Sequence, residues 1–163
     1  MFDPTAFDNL KVVLEGAVYD LDLTGEISIT GRRDLFNFAS YERFYEIEFT
    51  VSGEESFTAV IELSADMKNF LAERQKGTNR IEAGAELEIR YTGAEELLEN
   101  KEDLMSLWGS DKQWEWKSIH SSVTGVSVLG ILTFQRLITE TMVDDLLDIV
   151  SFTIDSLRTI KKS

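Results

Sequence analysis

Apolar and polar residues alternate with a period of two over much of the chain, which is the spacing of half-buried β-strands. The pattern is clearest on either side of Gly53, where two such runs are joined by a short turn. Their inward positions are Tyr45, Ile47, Phe49 and Val51 in the first run, and Phe57, Ala59, Ile61 and Leu63 in the second. Because cross-strand partners share a face of the sheet, we expect Ile47 opposite Ala59 or Ile61.

Five more runs predict strands, which makes about seven in all. They lie at residues 10–22, around 27–29, at 87–91, at 114–120 and at 126–136. In the first of these runs the inward parity changes near Gly16, and a β-bulge at that glycine would produce such a change. The last run is apolar on both faces, which predicts a central strand covered on both sides.

Helical spacing replaces the alternation in three longer segments, and a single helical turn is predicted at Asp3 and Pro4. The first helix is expected to begin at Ser64 as its N-cap and to run to Lys76, before a loop over 78–84. The second helix is predicted over residues 94–108, and Gly109 is expected to end it.

The third helix, over residues 141–160, is the longest amphipathic segment of the chain. Its apolar stripe consists of Val143, Leu146, Leu147, Val150, Ile154 and Leu157. Phe152 departs from this pattern, because helical spacing places it among the aspartates of the polar face. It is either an isolated exposed side chain or, together with Asp145 and Asp148, an anchor for a partner.

The order of these segments predicts an α+β fold, since consecutive strands lack the long crossovers that parallel pairing requires. We expect a single antiparallel sheet of about seven strands, with helices packed chiefly on one face and the long C-terminal helix lying across it. Residues 1–163 form one domain, because 163 residues are enough for one core and no linker or repeat interrupts them.

Composition narrows the compartment and the chemistry. The chain has no cysteine, which excludes disulfides and thiolate ligands and favours a reducing compartment. The sequence shows neither a secretory signal nor an apolar run long enough to span a bilayer. These features predict a cytoplasmic protein.

The net charge of -14, from 30 acidic and 16 basic residues, argues against nucleic acid and membrane surfaces as partners. Both carry negative charge, and binding them needs cations that displace counterions. The acidity serves either solubility or the attraction of a basic partner.

The sequence contains no recognisable catalytic motif. His120 is the only histidine, so it alone could act as a histidine base, and one histidine falls short of the usual metal sites. Residues 125–130 match neither a nucleophile elbow nor a phosphate-binding loop. We therefore predict no metal site and no cofactor, and we lean towards a protein that is not an enzyme.

Two groups of residues remain candidates for chemistry. The strand at 114–120 places Trp114, Trp116 and His120 on one face, where they could bind a small molecule or pack under a helix. Tyr45 and Tyr91 could line the same cavity.

The second group consists of Glu46 and Glu48 on the outer face of their strand, with Glu62 opposite Glu46 in one register. Close carboxylates of this kind can share a proton, although a solvated face would leave them inert.

Three functions are compatible with these features. The first is a non-enzymatic, adaptor- or chaperone-like interaction domain that binds a protein partner or a second copy of itself. The alternative is a carrier or sensor of an apolar small molecule held between the C-terminal helix and the sheet. The third is a hydrolase or isomerase that uses His120 and a carboxylate.

Overall fold

The first element of the described residues is a helix, α1 (Ala6–Leu23), where the alternation predicted a strand over residues 10–22. The computed structural model describes residues 5–66 and 84–160, so the turn predicted at Asp3 and Pro4 lies outside the described residues. The predicted bulge at Gly16 is therefore wrong, because this residue lies within α1.

The error has a physical explanation in the spacing of the buried side chains. Phe7, Leu10, Leu14 and Val18 follow one another at intervals of three and four residues and are all buried, as on one face of a helix. The segment 10–22 also has apolar residues at alternate positions, with a change of parity near Gly16, and this pattern resembles that of a bulged strand. Thr5 caps α1 by accepting a hydrogen bond of 3.1 Å from the backbone N–H of Asp8.

In the described residues, six strands form one antiparallel sheet. The expectation of about seven strands is wrong, because the segment 10–22, predicted as a strand, lies in the helix α1. The strands are β1 (Ile27–Asn37), β2 (Glu42–Val51), β3 (Glu54–Ala65), β4 (Glu86–Gly93), β5 (Gln113–Ser121) and β6 (Gly125–Thr133). Their order across the sheet is β1-β2-β3-β4-β6-β5. The predicted α+β class with one antiparallel sheet is confirmed.

The register of the central hairpin is the predicted one, with Ile47 opposite Ile61 and Glu46 opposite Glu62. The pairing shifts at two places in this part of the sheet, between Ile29 and Gly31 in β1 and between Phe49 and Val51 in β2. Ser64 lies within β3 instead of capping a helix. The helix and loop predicted after it fall almost entirely on residues 67–83, outside the described residues.

The helices predicted over 94–108 and 141–160 are present with different bounds. The segment 94–108 divides into α2 (Glu96–Glu99) and α3 (Lys101–Trp108). Gly109 follows α3 with a φ of 98°, a conformation that glycine adopts without strain. A 3₁₀ turn (Glu140–Met142) leads into the long C-terminal helix, α4 (Val143–Ile160).

The helices α1 and α4 pack against each other and against the same face of the sheet. Side chains of both helices belong to one buried cluster with the inward residues of β2, β3 and β4. This inner face carries Tyr45, Ile47, Phe49, Ala59, Ile61, Leu63, Leu87, Ile89 and Tyr91, all buried. Burying this apolar surface is the main stabilising contribution to the fold.

Ion pairs connect α1 to the hairpin of β1 and β2 at the edge of this core. Arg43 on β2 forms ion pairs with Asp8 on α1 and with Asp34 on β1, the latter at 3.1 Å. Its guanidinium also lies 4.7 Å from the centre of the Phe7 ring, and Lys11 pairs with Asp34 at 2.6 Å. These contacts fix the position of α1 relative to the sheet.

The strand predicted to be covered on both sides is β6, and it lies next to the edge of the sheet. Val128 and Leu132 are buried on its inner face, whereas Leu129 and Ile131 are only half-buried on the other. The strand also stops at Thr133, before the predicted end at 136. Among the helices in the described ranges, none combines the length and apolarity needed to cross a membrane.

A helix and a strand over the segment of α1 predict different effects of substitutions at Val12 and Leu14. Val12 and Leu14 would share a face in a strand, but in α1 Leu14 is fully buried and Val12 is 68% exposed. We expect Leu14→Ala to lower the free energy of unfolding by about 2–5 kcal/mol, since it leaves a cavity in the core. The matched control Val12→Ala should change it by less than about 0.5 kcal/mol.

Chemical denaturation of the two variants measures both values. Similar destabilisation by the two substitutions would contradict the helical assignment.

Candidate functional site

A cleft of about 830 Å³ opens between the end of α3, the segment that follows β6 and the outer side of α4. Its apolar wall includes Trp108, Phe134, Ile149 and Phe152. Polar side chains complete it, among them two aspartates of α4. A concave surface of this size with aromatic walls and a few charged groups is typical of a binding site.

Two aromatic rings lie against Trp108. The ring of Phe152 lies 4.5 Å from it at an interplanar angle of 66°, and the ring of Phe134 lies 6.0 Å from it at 81°. Both contacts have the edge-to-face geometry that aromatic pairs favour. Phe152 is 37% exposed, so part of the ring contacts Trp108 and part faces the cleft.

Trp108 is held in place by a chain of buried hydrogen bonds. Its indole Nε1–H donates to the hydroxyl of Tyr91 on β4, at 2.8 Å. The hydroxyl of Ser156 on α4 donates to the carbonyl of Thr153, at 2.6 Å. Because a serine hydroxyl has one proton, Tyr91 must be the donor in its 2.7 Å hydrogen bond with Ser156. The chain thus connects α3, β4 and α4 beneath the cleft.

The charges around the cleft are unevenly paired. Lys112 forms an ion pair of 3.0 Å with Asp111, and its ammonium lies 5.9 Å from the centre of the Phe134 ring. Asp145 and Asp148 form no ion pair with any residue in the ranges 5–66 and 84–160, and both line the cleft. Three carboxylates and two cations, Lys112 and Arg136, line the cleft, so negative charge is in slight excess there.

The sequence leaves Phe152 either as an isolated exposed side chain or, with Asp145 and Asp148, as an anchor for a partner. The structure brings all three to the cleft. Trp108 and Phe134 fall in the helix predicted over 94–108 and in the strand predicted over 126–136, with no role in binding expected for either. The signal that could have found them is their position at the ends of their elements, since Trp108 precedes Gly109 and Phe134 follows the end of β6.

The residues predicted to bind a small molecule divide into separate places. Tyr91, Trp114 and Trp116 form a stack, with Trp114 lying 6.0 Å from the Tyr91 ring and 5.3 Å from the Trp116 ring. The two indoles are nearly parallel, at an interplanar angle of 11°. This stack lies on the inner face of the sheet, across β4, β6 and β5.

The other two residues of that prediction lie apart from the stack. Tyr45 is buried on β2, two strands away from Tyr91 in the sheet, and its hydroxyl donates to Glu15 of α1 at 2.7 Å. Burial raises the pKa of Tyr45, and the neighbouring Glu15 adds to this shift. His120 is exposed near the end of β5, where it is paired with Val126. Tyr45 and His120 therefore lie at other positions of the sheet than the stack.

The predicted group of carboxylates is larger than expected. Glu46, Glu62 and Glu88 are successive cross-strand partners on β2, β3 and β4, and they form one row on the outer face. The guanidinium of Arg90 contacts all three, with Glu62 at 2.9 Å. Glu48 lies outside this group and accepts a hydrogen bond from Thr30 at 2.6 Å.

The row of Glu46, Glu62 and Glu88 carries more negative than positive charge, and this affects the pKa of Glu62. Burial raises the pKa of Glu62; the contacts with Arg90 oppose this shift, and Glu46 and Glu88 add to it, so the net pKa lies above its ordinary value. Within the described ranges no group of three or more His, Cys, Asp or Glu side chains is arranged to hold a metal ion.

Comparison with known proteins adds no assignment. Neither a family model, nor a curated protein, nor a solved structure matches the chain.

The row of carboxylates predicts a pH dependence of stability. Because the pKa of Glu62 is higher in the folded chain than its ordinary value of 4.5, its contribution is fully present below 4.5 and is lost as the pH rises through the folded pKa. Glu62→Gln removes this loss and keeps an acceptor for Arg90. We expect the melting temperature of the variant, relative to wild type, to increase between pH 4 and pH 8.

Glu48→Gln is the matched control, because it removes one carboxylate from the same face but outside the contacts of Arg90. Calorimetric melting curves of the three proteins measure the difference. If the difference in melting temperature between Glu62→Gln and wild type stays constant or decreases over this pH range, the pKa of Glu62 is not raised in the folded chain.

Proposed function

We propose that this chain is a protein-interaction domain whose cleft binds a basic segment of a partner protein. The observation that carries the proposal is the combination, in one concave surface, of three aromatic rings with two aspartates that form no ion pair with the described residues. A lysine or arginine side chain offers complementary chemistry. Its charged end pairs with carboxylates, and its aliphatic stem packs against aromatic faces.

The rings around Trp108 support an apolar contact next to that charge. Protein interfaces typically combine a buried aromatic anchor with charged groups at the rim. Phe152 is accessible from the cleft and is supported from behind by Trp108, so it can gain contacts without first reorganising. A partner segment with a basic residue next to an aliphatic or aromatic one matches this arrangement.

The charge of the whole chain supports the same kind of partner. A net charge of -14 attracts a basic partner over the distance of about one Debye length, roughly 8 Å in physiological salt. Such attraction raises the rate of association and makes it sensitive to ionic strength. An acidic surface also disfavours acidic competitors.

We further propose that the role is non-enzymatic and cytoplasmic. The polar side chains that line the cleft are carboxylates, one amide and two cations, which can form ion pairs and hydrogen bonds with a partner. His120, the only histidine, is exposed near the far end of β5 and is not part of the cleft lining. The lack of cysteine in the sequence favours a reducing compartment.

A library of phage-displayed random 12-residue peptides tests the proposal without a known partner. The library is selected on the wild-type protein after depletion on an Asp145→Lys/Asp148→Lys variant. We expect the enriched peptides to contain lysine or arginine next to an apolar residue. Enrichment of acidic peptides, or no enrichment beyond the depleted pool, would contradict the proposed function.

Two neighbouring aspartates of α4 provide a matched pair for measuring the affinity of a selected peptide. Asp145 lines the cleft, whereas Asp144 lies in the same helical turn and does not. We expect Asp145→Lys to weaken binding about tenfold or more, because a repulsive charge replaces an attractive one. Asp144→Lys should weaken it by less than about threefold, since the charge change lies outside the contact. Equal losses would place the peptide elsewhere on the acidic surface.

A further inference from the structure

The two edges of the sheet differ in their protection against pairing with another chain. An edge strand exposes backbone N–H and C=O groups, and natural proteins protect it with bulges, prolines or charged side chains on the inward face. β1 has two of these features, because its pairing shifts between Ile29 and Gly31, and Arg32 and Asp34 take inward positions. The helix α1 also contacts this strand. A further strand is therefore poorly accommodated beside β1.

β5, at the opposite edge of the sheet, lacks these three features. Its pairing with β6 is continuous from Gln113 to Ser121, and it contains no proline. Its inward positions carry two tryptophans, a serine and a histidine, and neither a carboxylate nor a lysine or arginine. Among the strands in residues 5–66 and 84–160, β5 pairs with β6 alone and is the one strand without a buried residue. The free edge of β5 is therefore open to a further strand.

The charges on the outer face of β5 indicate which strand fits there. A lysine on an edge strand usually discourages pairing, but Lys117 is accompanied by Glu115, with which it forms an ion pair of 3.0 Å along the strand. Both side chains are more than half exposed, at 52% and 62%. When two copies of β5 pair antiparallel around a two-fold axis through Trp116, Glu115 lies opposite the partner's Lys117, and Lys117 lies opposite the partner's Glu115. The strand is therefore complementary in charge to a second copy of itself.

Other registers of the same two strands lose this complementarity. A shift of the axis by one residue places either Glu115 or Lys117 opposite its own copy, where like charges repel each other. With the axis at Ser118, Lys117 lies opposite the partner's Ile119 and the charge of Glu115 is also unmatched. The register centred on Trp116 also brings the two Trp116 side chains together on the inner face, and aromatic cross-strand pairs stabilise a sheet.

We propose that two copies of this chain pair antiparallel along their β5 edges, with the two-fold axis at Trp116 and two ion pairs between Glu115 and Lys117 across it. Backbone hydrogen bonds between the two strands supply affinity, and the charges determine the register. Assembly ends at the dimer, because a two-fold contact uses the same edge of both copies. The residues that line the cleft do not belong to β5, so this dimer does not depend on the function proposed for the cleft.

Charge reversal at the two outer positions tests the contact and its register. Glu115→Lys and Lys117→Glu each place like charges opposite each other, although they change the net charge of the chain in opposite directions. In sedimentation equilibrium we expect the wild type to dimerise and each single variant to have a dissociation constant about tenfold or more higher. The double variant Glu115→Lys/Lys117→Glu should recover the wild-type constant, because it exchanges the two charges and keeps them paired. Circular dichroism confirms that each variant folds.

An equimolar mixture of the two single variants provides a second, independent comparison. In this mixture one strand carries lysine at both positions and the other carries glutamate at both, so the two strands are complementary to each other and not to themselves. We expect the mixture to dimerise at concentrations where each variant alone is monomeric. A wild type that stays monomeric at about 1 mM, single variants that dimerise as tightly as wild type, or a mixture that stays monomeric would each overturn the proposal.

Discussion

The hydroxyl of Tyr91 is the contact on which the arrangement of the cleft depends. It accepts the indole N–H of Trp108 and donates to Ser156, so that one buried group connects α3 and α4. Burial of this hydroxyl raises the pKa of Tyr91, which keeps it protonated and able to donate. A hydrogen bond inside the core is costly to leave unmade, and this makes the position of Trp108 well defined. Phe152 then packs against a ring that is already fixed.

The two faces of the sheet divide the tasks of the fold. The inner face buries the apolar cluster beneath α1 and α4, and burial of that cluster supplies most of the stability. The outer face of the central strands carries the row of glutamates around Arg90, where the charge balance makes stability depend on pH. The cleft lies beside the core, since Ile138 of the buried cluster forms part of its lining.

The sequence predicted those parts of the fold in which one periodicity dominates. The hairpin of β2 and β3, with its register, and the long helix α4 followed from strict alternation and from a wide apolar stripe. It failed at α1, because Leu10, Leu14 and Ala17 fit both a helix and a bulged strand, and only tertiary packing decides between them. Half of the cleft was also missed. Trp108 and Phe134 come together through the contact of α3 with α4 and the end of β6, which no local pattern records.

Peptide affinity in a Tyr91→Phe variant tests the central claim most directly. Tyr91 does not line the cleft, so its hydroxyl influences binding only through the positions of its two partners, Trp108 and Ser156 of α4. Titration calorimetry with a peptide selected on the wild type measures the effect, and circular dichroism confirms that the variant folds. The account predicts a loss of affinity of about tenfold, corresponding to the hydrogen bond that holds the tryptophan. Unchanged affinity in a folded variant would show that the cleft does not depend on this hydroxyl.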